Sequence, residues 1–360
     1  MSFFNNIYYR IIKASGDNFN HTLDEVLHRI DNRLKILRLV FFSNVEDDKD
    51  YLNKLHILHT RINEYMNGEL PAISLVSQRP LDADIVLEVH YYQPDENECL
   101  FYKTYDGFSY VVLTNNYGKF LYAGGLHASL DDDVYIQSRN VFNILDYIMQ
   151  KEGFPIESIV RQWNYIGNIT SYDSFGNQHY QMFNNARSEF YNSSSWTNGF
   201  PAATGIGTKG NYVVVDVDAV VDENLEFKIK PIDNKLQIAA HAYSTKVLEK
   251  AKTGLTTPKF ERAKSLNLND ERLIYVSGTA AIRGENSVTA DVLEQLYVTM
   301  ENIRQLISGS KIRLLRVYLK KTEDYEQVQK VLSGYTDVEL SYFLADVCRN
   351  ELLIEIEGIA

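Results

Sequence analysis

Cysteine is scarce in this 360-residue chain: Cys99 and Cys348 are the only two, far apart in sequence. A single bridge can be drawn between them, but neither a disulfide framework nor a thiolate metal site. Positive charge is also short, with 36 Lys and Arg against 48 Asp and Glu and a formal net charge of −12. Such a surface repels phosphate backbones, so no nucleic-acid partner is expected. A small anion is not excluded, because a few arginines make a pocket locally positive. Long apolar runs are missing too, and nothing approaches the ~20 residues that a bilayer span requires. The opening MSFFNNIYYRIIK is broken by Asn, Tyr and Arg and does not read as a signal peptide. No membrane association is expected, and the cytoplasm is the expected address.

What is present fits an ordinary globular protein, with 45% apolar and 23% charged residues. The length suggests two compact domains. Residues 1–35 read as an accessory helical segment, in which Thr22-Leu-Asp-Glu25 has capping-box spacing. A strand follows at 36–42, then an amphipathic helix through Leu55, Leu58, Ile62 and Tyr65. His56 and His59 on that helix suggest a half-exposed face rather than a metal pair, since no further ligand lies nearby in sequence.

From there the chain repeats itself. Phe120-Leu-Tyr-Ala-Gly-Gly125 and Leu273-Ile-Tyr-Val-Ser-Gly278 are strands ending in Gly, each followed by a polar loop and a long helix. Val141, Leu145, Ile148 and Met149 mark the first helix; Val292, Leu296, Met300, Ile303 and Ile307 mark the second. A further strand comes next, at 157–165 and 314–319. Each copy closes on an alternating strand, Val213–Val220 and Leu353–Ile359, with Asp216 and Glu355 at equivalent places. A boundary is expected near 222–236, giving domains 36–225 and 226–360. The 157–210 stretch holds both tryptophans and several arginines and reads as an inserted binding element.

Few motifs offer chemistry by themselves. Gly205-Ile-Gly207-Thr-Lys-Gly210 has dinucleotide-fingerprint spacing, but it precedes a strand rather than a helix and reads as a turn. Asp131-Asp-Asp133 suits a helix N-terminus better than Mg²⁺. Alternation places Glu355 and Glu357 on one face of the last strand. By default that face meets water; in a cleft, burial and a like charge would make one of them a proton donor near neutral pH. Arg161, Arg187 and Arg262 sit in aromatic or turn-like motifs, as surface salt bridges or as bidentate grips on a dianion.

Together these segments resemble a known family. Each repeat is similar to the reactive-intermediate deaminase (YjgF-like, chorismate-mutase-like) fold, whose last strand reads like Ile354-Glu-Ile-Glu-Gly358. The tandem resembles the chorismatases, which include 3-hydroxybenzoate synthases. The resemblance rests on Leu37–Phe42, Arg161-Gln-Trp-Asn-Tyr165, Gln178–Arg187, Pro201–Gly207, Phe260-Glu-Arg-Ala263 and Asp346–Glu357. It implies an α/β (α+β) fold of two tandem domains, each a mixed sheet with helices on one face. It implies an enzyme that splits chorismate into pyruvate and a hydroxybenzoate with no metal or organic cofactor, working as a monomer or homotrimer. By motif, Glu355 matches the catalytic acid that protonates the enolpyruvyl methylene. Arg262, Arg187 and Arg161 match carboxylate binders, beside Tyr165, Tyr180 and Tyr243. Ala263 and Cys348 match the small pair beside the ring, and the cysteine favours 3-hydroxybenzoate over 4-hydroxybenzoate or the dihydroxycyclohexadiene carboxylate. Gln181 departs from the family's arginine in its Tyr-Arg-x-Phe-Asn motif, and the basic stretch near Tyr243 is altered. Imine deamination and silent ligand binding are the alternatives; against deamination, Leu340 stands where an arginine fifteen residues before Glu355 is needed.

Overall fold

The computed structural model describes residues 3–96, 98–222, 227–244 and 256–360. Its strands fall into three large sheets, one more than the two expected domains. The first is built from β1 (Ile7–Ala14), α1 (Phe19–His28), β2 (Lys35–Ser43), α2 (Asp48–Tyr65), β3 (Ala72–Val76) and β5 (Ile85–Tyr92), in the order β1-β5-β2-β3. The short β4 (Arg79–Pro80) leaves it to pair with the third sheet. The expected division at 35/36 therefore runs through a sheet, because β1 pairs along its whole length with β5, Ile7 opposite Tyr92. The helix over 19–28 starts one turn before the expected capping box. Asn18 is the cap, its side chain accepting from His21 N at 3.0 Å, and Thr22 is buried in the first turn.

The second sheet comes from β6 (Cys99–Tyr105), β7 (Phe108–Asn115), β8 (Gly118–His127), α3 (Val134–Glu152), β9 (Ile159–Gly167), α4 (His179–Tyr191), β10 (Ala202–Thr208) and β11 (Val213–Val221). The third comes from β12 (Lys228–Ile232), β13 (Ala263–Leu268), β14 (Glu271–Ala280), the hairpin β15 (Ile282–Arg283) and β16 (Asn286–Ser287), α5 (Val292–Ile307), β17 (Leu314–Leu319), α6 (Tyr325–Leu332), β18 (Glu339–Leu344) and β19 (Ile354–Ile359). The expected boundary at 225/226 lies outside the described residues, and the change of sheet brackets it.

All three sheets share one plan. The pairs β2/β3, β9/β10 and β17/β18 are parallel, so each needs a crossover, which α2, α4 and α6 supply. An antiparallel strand, β5, β11 or β19, lies on the other side of the first member. The repeat read from sequence thus has a third copy in residues 7–92. The expected insertion at 157–210 is no loop but the β9–α4–β10 crossover, which the third sheet matches with its shorter α6.

Their inner faces share one core, with Val40 and Phe42 from the first sheet, Tyr165 and Val214 from the second, and Leu266 and Tyr318 from the third. Helices α3 and α4 cover the outer face of the second sheet, and α5 and α6 that of the third. The sheets meet head to tail: β3 packs on β8, β10 on β14 and β18 on β1.

Buried charge follows the same cycle. Arg38 of the first sheet pairs with Asp216 and Asp218 of the second, at 3.3 and 2.5 Å. Arg161 of the second pairs with Glu357 of the third. Arg316 of the third pairs with Glu88 of the first at 2.6 Å, closing the ring. The Trp163 ring lies within 5.5 Å of all three guanidinium carbons. Seven such charges would be ruinous unpaired; paired, they fix the mutual setting of the sheets.

Candidate active site

The largest difference among the three seams lies in one carboxyl. By strand register, Glu88, Asp216 and Glu355 occupy equivalent places, opposite Val40, Trp163 and Tyr318. Arg316 holds Glu88 through both of its oxygens, at 2.7 and 2.6 Å, and His90 lies 2.6 Å away. Asp216 accepts from Ser74 Oγ and Gly125 N, both at 2.7 Å. Glu355 is also buried, at 5% exposure, yet no hydrogen bond reaches its carboxyl among the described residues. Desolvation, then the adjacent charge of Glu357, push its pKa up to about 8; Arg262 and Arg161 pull the other way. The water-facing default for Glu355 is overturned, because the second sheet covers that face of β19.

Local structure fixes this carboxyl. Gln295, in the first turn of α5, accepts from Leu353 N at 2.8 Å and donates to Glu351 O at 3.0 Å, pinning the entry to β19. Gln137 does the same in α3, accepting from Val213 N at 3.0 Å. Below Glu355 lies Gly278. A Cβ there would fall far inside contact distance of Glu355 Oε1, 3.1 Å from its Cδ and 3.0 Å from Thr204 Cγ2. Glycine at 278 makes the room that the acid occupies.

Glu355 closes one end of a pocket of about 630 Å³ between β10 and β14, within the range of small-molecule sites. Ala203, Gly205, Gly278, Ala280 and Phe260 offer small or flat surfaces. Tyr180 packs over Gly205, where a Cβ would come within 2.8 Å of its ring. Opposite, Tyr243 stands between two cations: Arg262 and Arg349 each lie 5.3 Å from its ring centroid. Arg262 also hydrogen-bonds the Tyr243 hydroxyl and donates to Ile238 O at 2.8 Å. Arg349 donates to Glu285 O at 2.9 Å and Ser287 Oγ at 3.2 Å.

Of the residues singled out in the sequence, Glu355, Arg262, Tyr180, Tyr243 and Cys348 line this pocket. Arg187 stands one layer behind, donating to the pocket residue Asn184 at 2.6 Å. It is buried with no acidic partner among the described residues, its Nε is unpartnered, and burial lowers its pKa. Three others do not line it. Arg161 is committed to Glu357 and Thr204. The Tyr165 hydroxyl accepts from Arg316 at 2.7 Å inside the core. Ala263 is fully buried on β13, paired with Val276. The Cys348 thiol is pushed up to about 12, by burial first and then by Glu355, so it is a small wall group rather than a nucleophile.

Gln181 lines the pocket and donates to Asn185 Oδ1 at 2.9 Å and Thr256 O at 3.1 Å. Arg349 lies outside the spacing expected of a deaminase arginine. It reaches the pocket from the loop before β19, so the absence of arginine at 340 no longer weighs against that chemistry. No sequence periodicity marks such a loop residue; only its nearness to Glu355 in the chain pointed there. Asp133 caps α3, accepting from Ile136 N at 2.9 Å. Among the described residues no group of three His, Cys, Asp or Glu side chains is placed to hold a metal, His56 and His59 included. No helix among them is long and apolar enough to cross a membrane.

Repeated mixed sheets with helices on one face, and an acid–arginine pocket at one seam, define an α+β protein with a small-molecule site between two of its sheets. Comparison with known proteins narrows this class. Residues 112–219 match the family model described as chorismatase FkbO/Hyg5-like, N-terminal. A 3-hydroxybenzoate synthase from Streptomyces hygroscopicus is 30% identical over 230 residues, 58% of this chain and 65% of that relative. A chorismatase from Streptomyces rapamycinicus is 27% identical over 257 residues, 66% of this chain and 71% of its own length. The crystal structure of a chorismatase superposes with a TM-score of 0.70 at 20% identity, covering 98% of both chains. The chain is thus similar to chorismatases, with the synthase match spanning a little under two thirds of that relative's length and the shared fold spanning nearly all of this chain.

Proposed function

We propose that this protein is a chorismatase that releases pyruvate from chorismate and leaves a hydroxybenzoate, most consistently 3-hydroxybenzoate. The observation that carries the reading is Glu355: a buried carboxyl without a hydrogen-bond partner among the described residues, beside guanidiniums in one pocket. A neutral acid near pH 7 suits the hard step, which is giving a proton to the enol-ether methylene carbon. Arg262 and Arg349, on either side of Tyr243, suit the two carboxylates of the substrate, and Arg187 adds positive potential through the Asn184 wall. The small residues around Gly205 and Gly278 leave space for the ring.

In this reading the Glu355 proton moves to the methylene carbon, which becomes the pyruvate methyl group. The positive charge that develops on the ether carbon is flanked by a carboxylate and faces the newly ionised Glu355. For a hydroxybenzoate product, the atoms of chorismate divide into pyruvate and product with no net water, and the proton lost on aromatisation restores the acid. For the dihydroxycyclohexadiene carboxylate, one water is consumed and supplies that proton. The half-buried Cys348 beside Glu355 narrows the room for water, which supports the aromatic product. The seam is formed by the second and third sheets of one chain, which supports a site complete within a monomer.

Purified protein incubated with chorismate, with pyruvate and ring products followed by chromatography, tests this. One pyruvate per chorismate consumed is expected. Pyruvate at the uncatalysed rate, or ammonia release from imines in its place, rejects the reading.

A further inference from the structure

Glu355 and Glu357 stand two residues apart on β19, both buried, and their surroundings divide them. All of Glu357's oxygens are engaged. Arg161 and Thr204 donate to Oε2, while Arg316 at 3.1 Å and Tyr318 at 2.5 Å donate to Oε1. Around Glu355 the charged and titratable groups are Glu357 on its own strand, Arg161 from β9 and Arg262 from the chain entering β13. Tyr180 faces it from α4, Tyr318 stands opposite on β17, and Cys348, Arg349 and Glu351 come from the loop before β19, with Tyr243 across the pocket. Of the two carboxyls on β19, only Glu357 has cations bound directly to it.

We propose that Glu357 is a positioning residue for Glu355: anchored by Arg161 and Arg316, its carboxylate is a fixed negative charge that retains the proton on Glu355. The inference rests on reading Glu355 as the proton donor and adds what keeps it loaded. Two neighbouring carboxyls do not both ionise cheaply, so the one with cationic partners takes the charge and the other keeps the proton. The anchor extends beyond the pocket. Arg316 binds Glu357 through Nη1 and Glu88 of the first sheet through Nε and Nη2, and Glu88 is held in turn by His90 at 2.6 Å. The first ninety residues thus contribute to the site without touching it. The elevated proton affinity of Glu355, with Glu357 its largest electrostatic cause, accords with this.

The test is a pH titration of ¹³C-carboxyl-labelled glutamate by NMR without substrate, with Glu355 assigned by its loss in E355Q. Two residues along a strand span ~7 Å, and at an effective dielectric of ~20 one charge at that distance moves a pKa by about one to two pH units. Glu357→Gln is expected to move the Glu355 midpoint down by that amount, and Arg161→Gln to move it up. A purely structural role would not give opposite signs. Midpoints that stay put, or move in the same direction in both variants, overturn the proposal. If E357Q does not fold, as judged by circular dichroism, R161Q decides alone: an unchanged or lowered midpoint overturns it. Because no chorismate is involved, a protein that titrates as expected but releases no pyruvate keeps this inference and loses only the functional reading.

Discussion

Gly278→Ala is the most informative single substitution, because it moves the acid without removing it. The new Cβ would lie 3.1 Å from Glu355 Cδ and closer still to Oε1, against the ~3.5–4.0 Å at which carbon atoms pack without repulsion. Thr204 Cγ2, at 3.0 Å on the other side, blocks retreat of the methyl group. Glu355 must therefore withdraw by about 1 Å, and a displacement of that size at a reacting group costs about 10²-fold in rate. The fold should survive, since the obstructing atoms are the end of a flexible side chain and not backbone. Steady-state pyruvate release, coupled to lactate dehydrogenase, should show kcat lowered about a hundredfold with an unchanged thermal melt. A kcat close to that of the parent in a well-folded G278A would refute the placement of Glu355 as the acid.

Two further outcomes follow from the same geometry. Glu355→Gln should abolish turnover and also change stability with a definite sign. The native carboxyl holds its proton up to about pH 8 and an unfolded glutamate only to 4.5, so the wild-type protein loses stability as pH rises between them. E355Q removes that loss and should melt higher than wild type at pH 9, by at most ~5 kcal/mol from the interval between those values; equal melts would contradict the burial argument. Arg349→Ala should raise KM for chorismate about tenfold or more, the worth of a charged hydrogen bond, with a smaller effect on kcat; an unchanged KM would take Arg349 out of the carboxylate grip.

Much of this was legible in the sequence, and the failures have physical reasons. Strand alternation and the Gly-ended repeats located the second and third sheets, because the strand residues facing the helices are apolar at period two. The first sheet escaped as a unit because β1 carries Tyr, Arg and Lys at exposed or half-exposed positions and finds its partner only at Ile85–Tyr92. Helix α4 does not stand out in the sequence because Gln181, Asn184 and Ser188 interrupt the apolar residues of its buried side. Motif resemblance picked out Glu355 and Arg262 at the pocket. It also picked out Arg161 and Tyr165, which belong to the buried ion-pair ring behind it; a buried arginine looks the same in sequence whether its partner is a ligand or a glutamate on another sheet. Gly278 and Arg349 required three dimensions, one for a contact it avoids and the other for a loop that folds back.

The central claim is that Glu355 delivers a proton to carbon. The most direct measurement is the reaction of chorismate in D₂O with early-time mass spectrometry of the pyruvate released. One deuterium in each pyruvate methyl group is expected with the wild-type protein, and no pyruvate above the uncatalysed rate with E355Q. Unlabelled pyruvate from a single turnover of wild-type protein equilibrated in D₂O, or labelled pyruvate formed at the wild-type rate by E355Q, would contradict it.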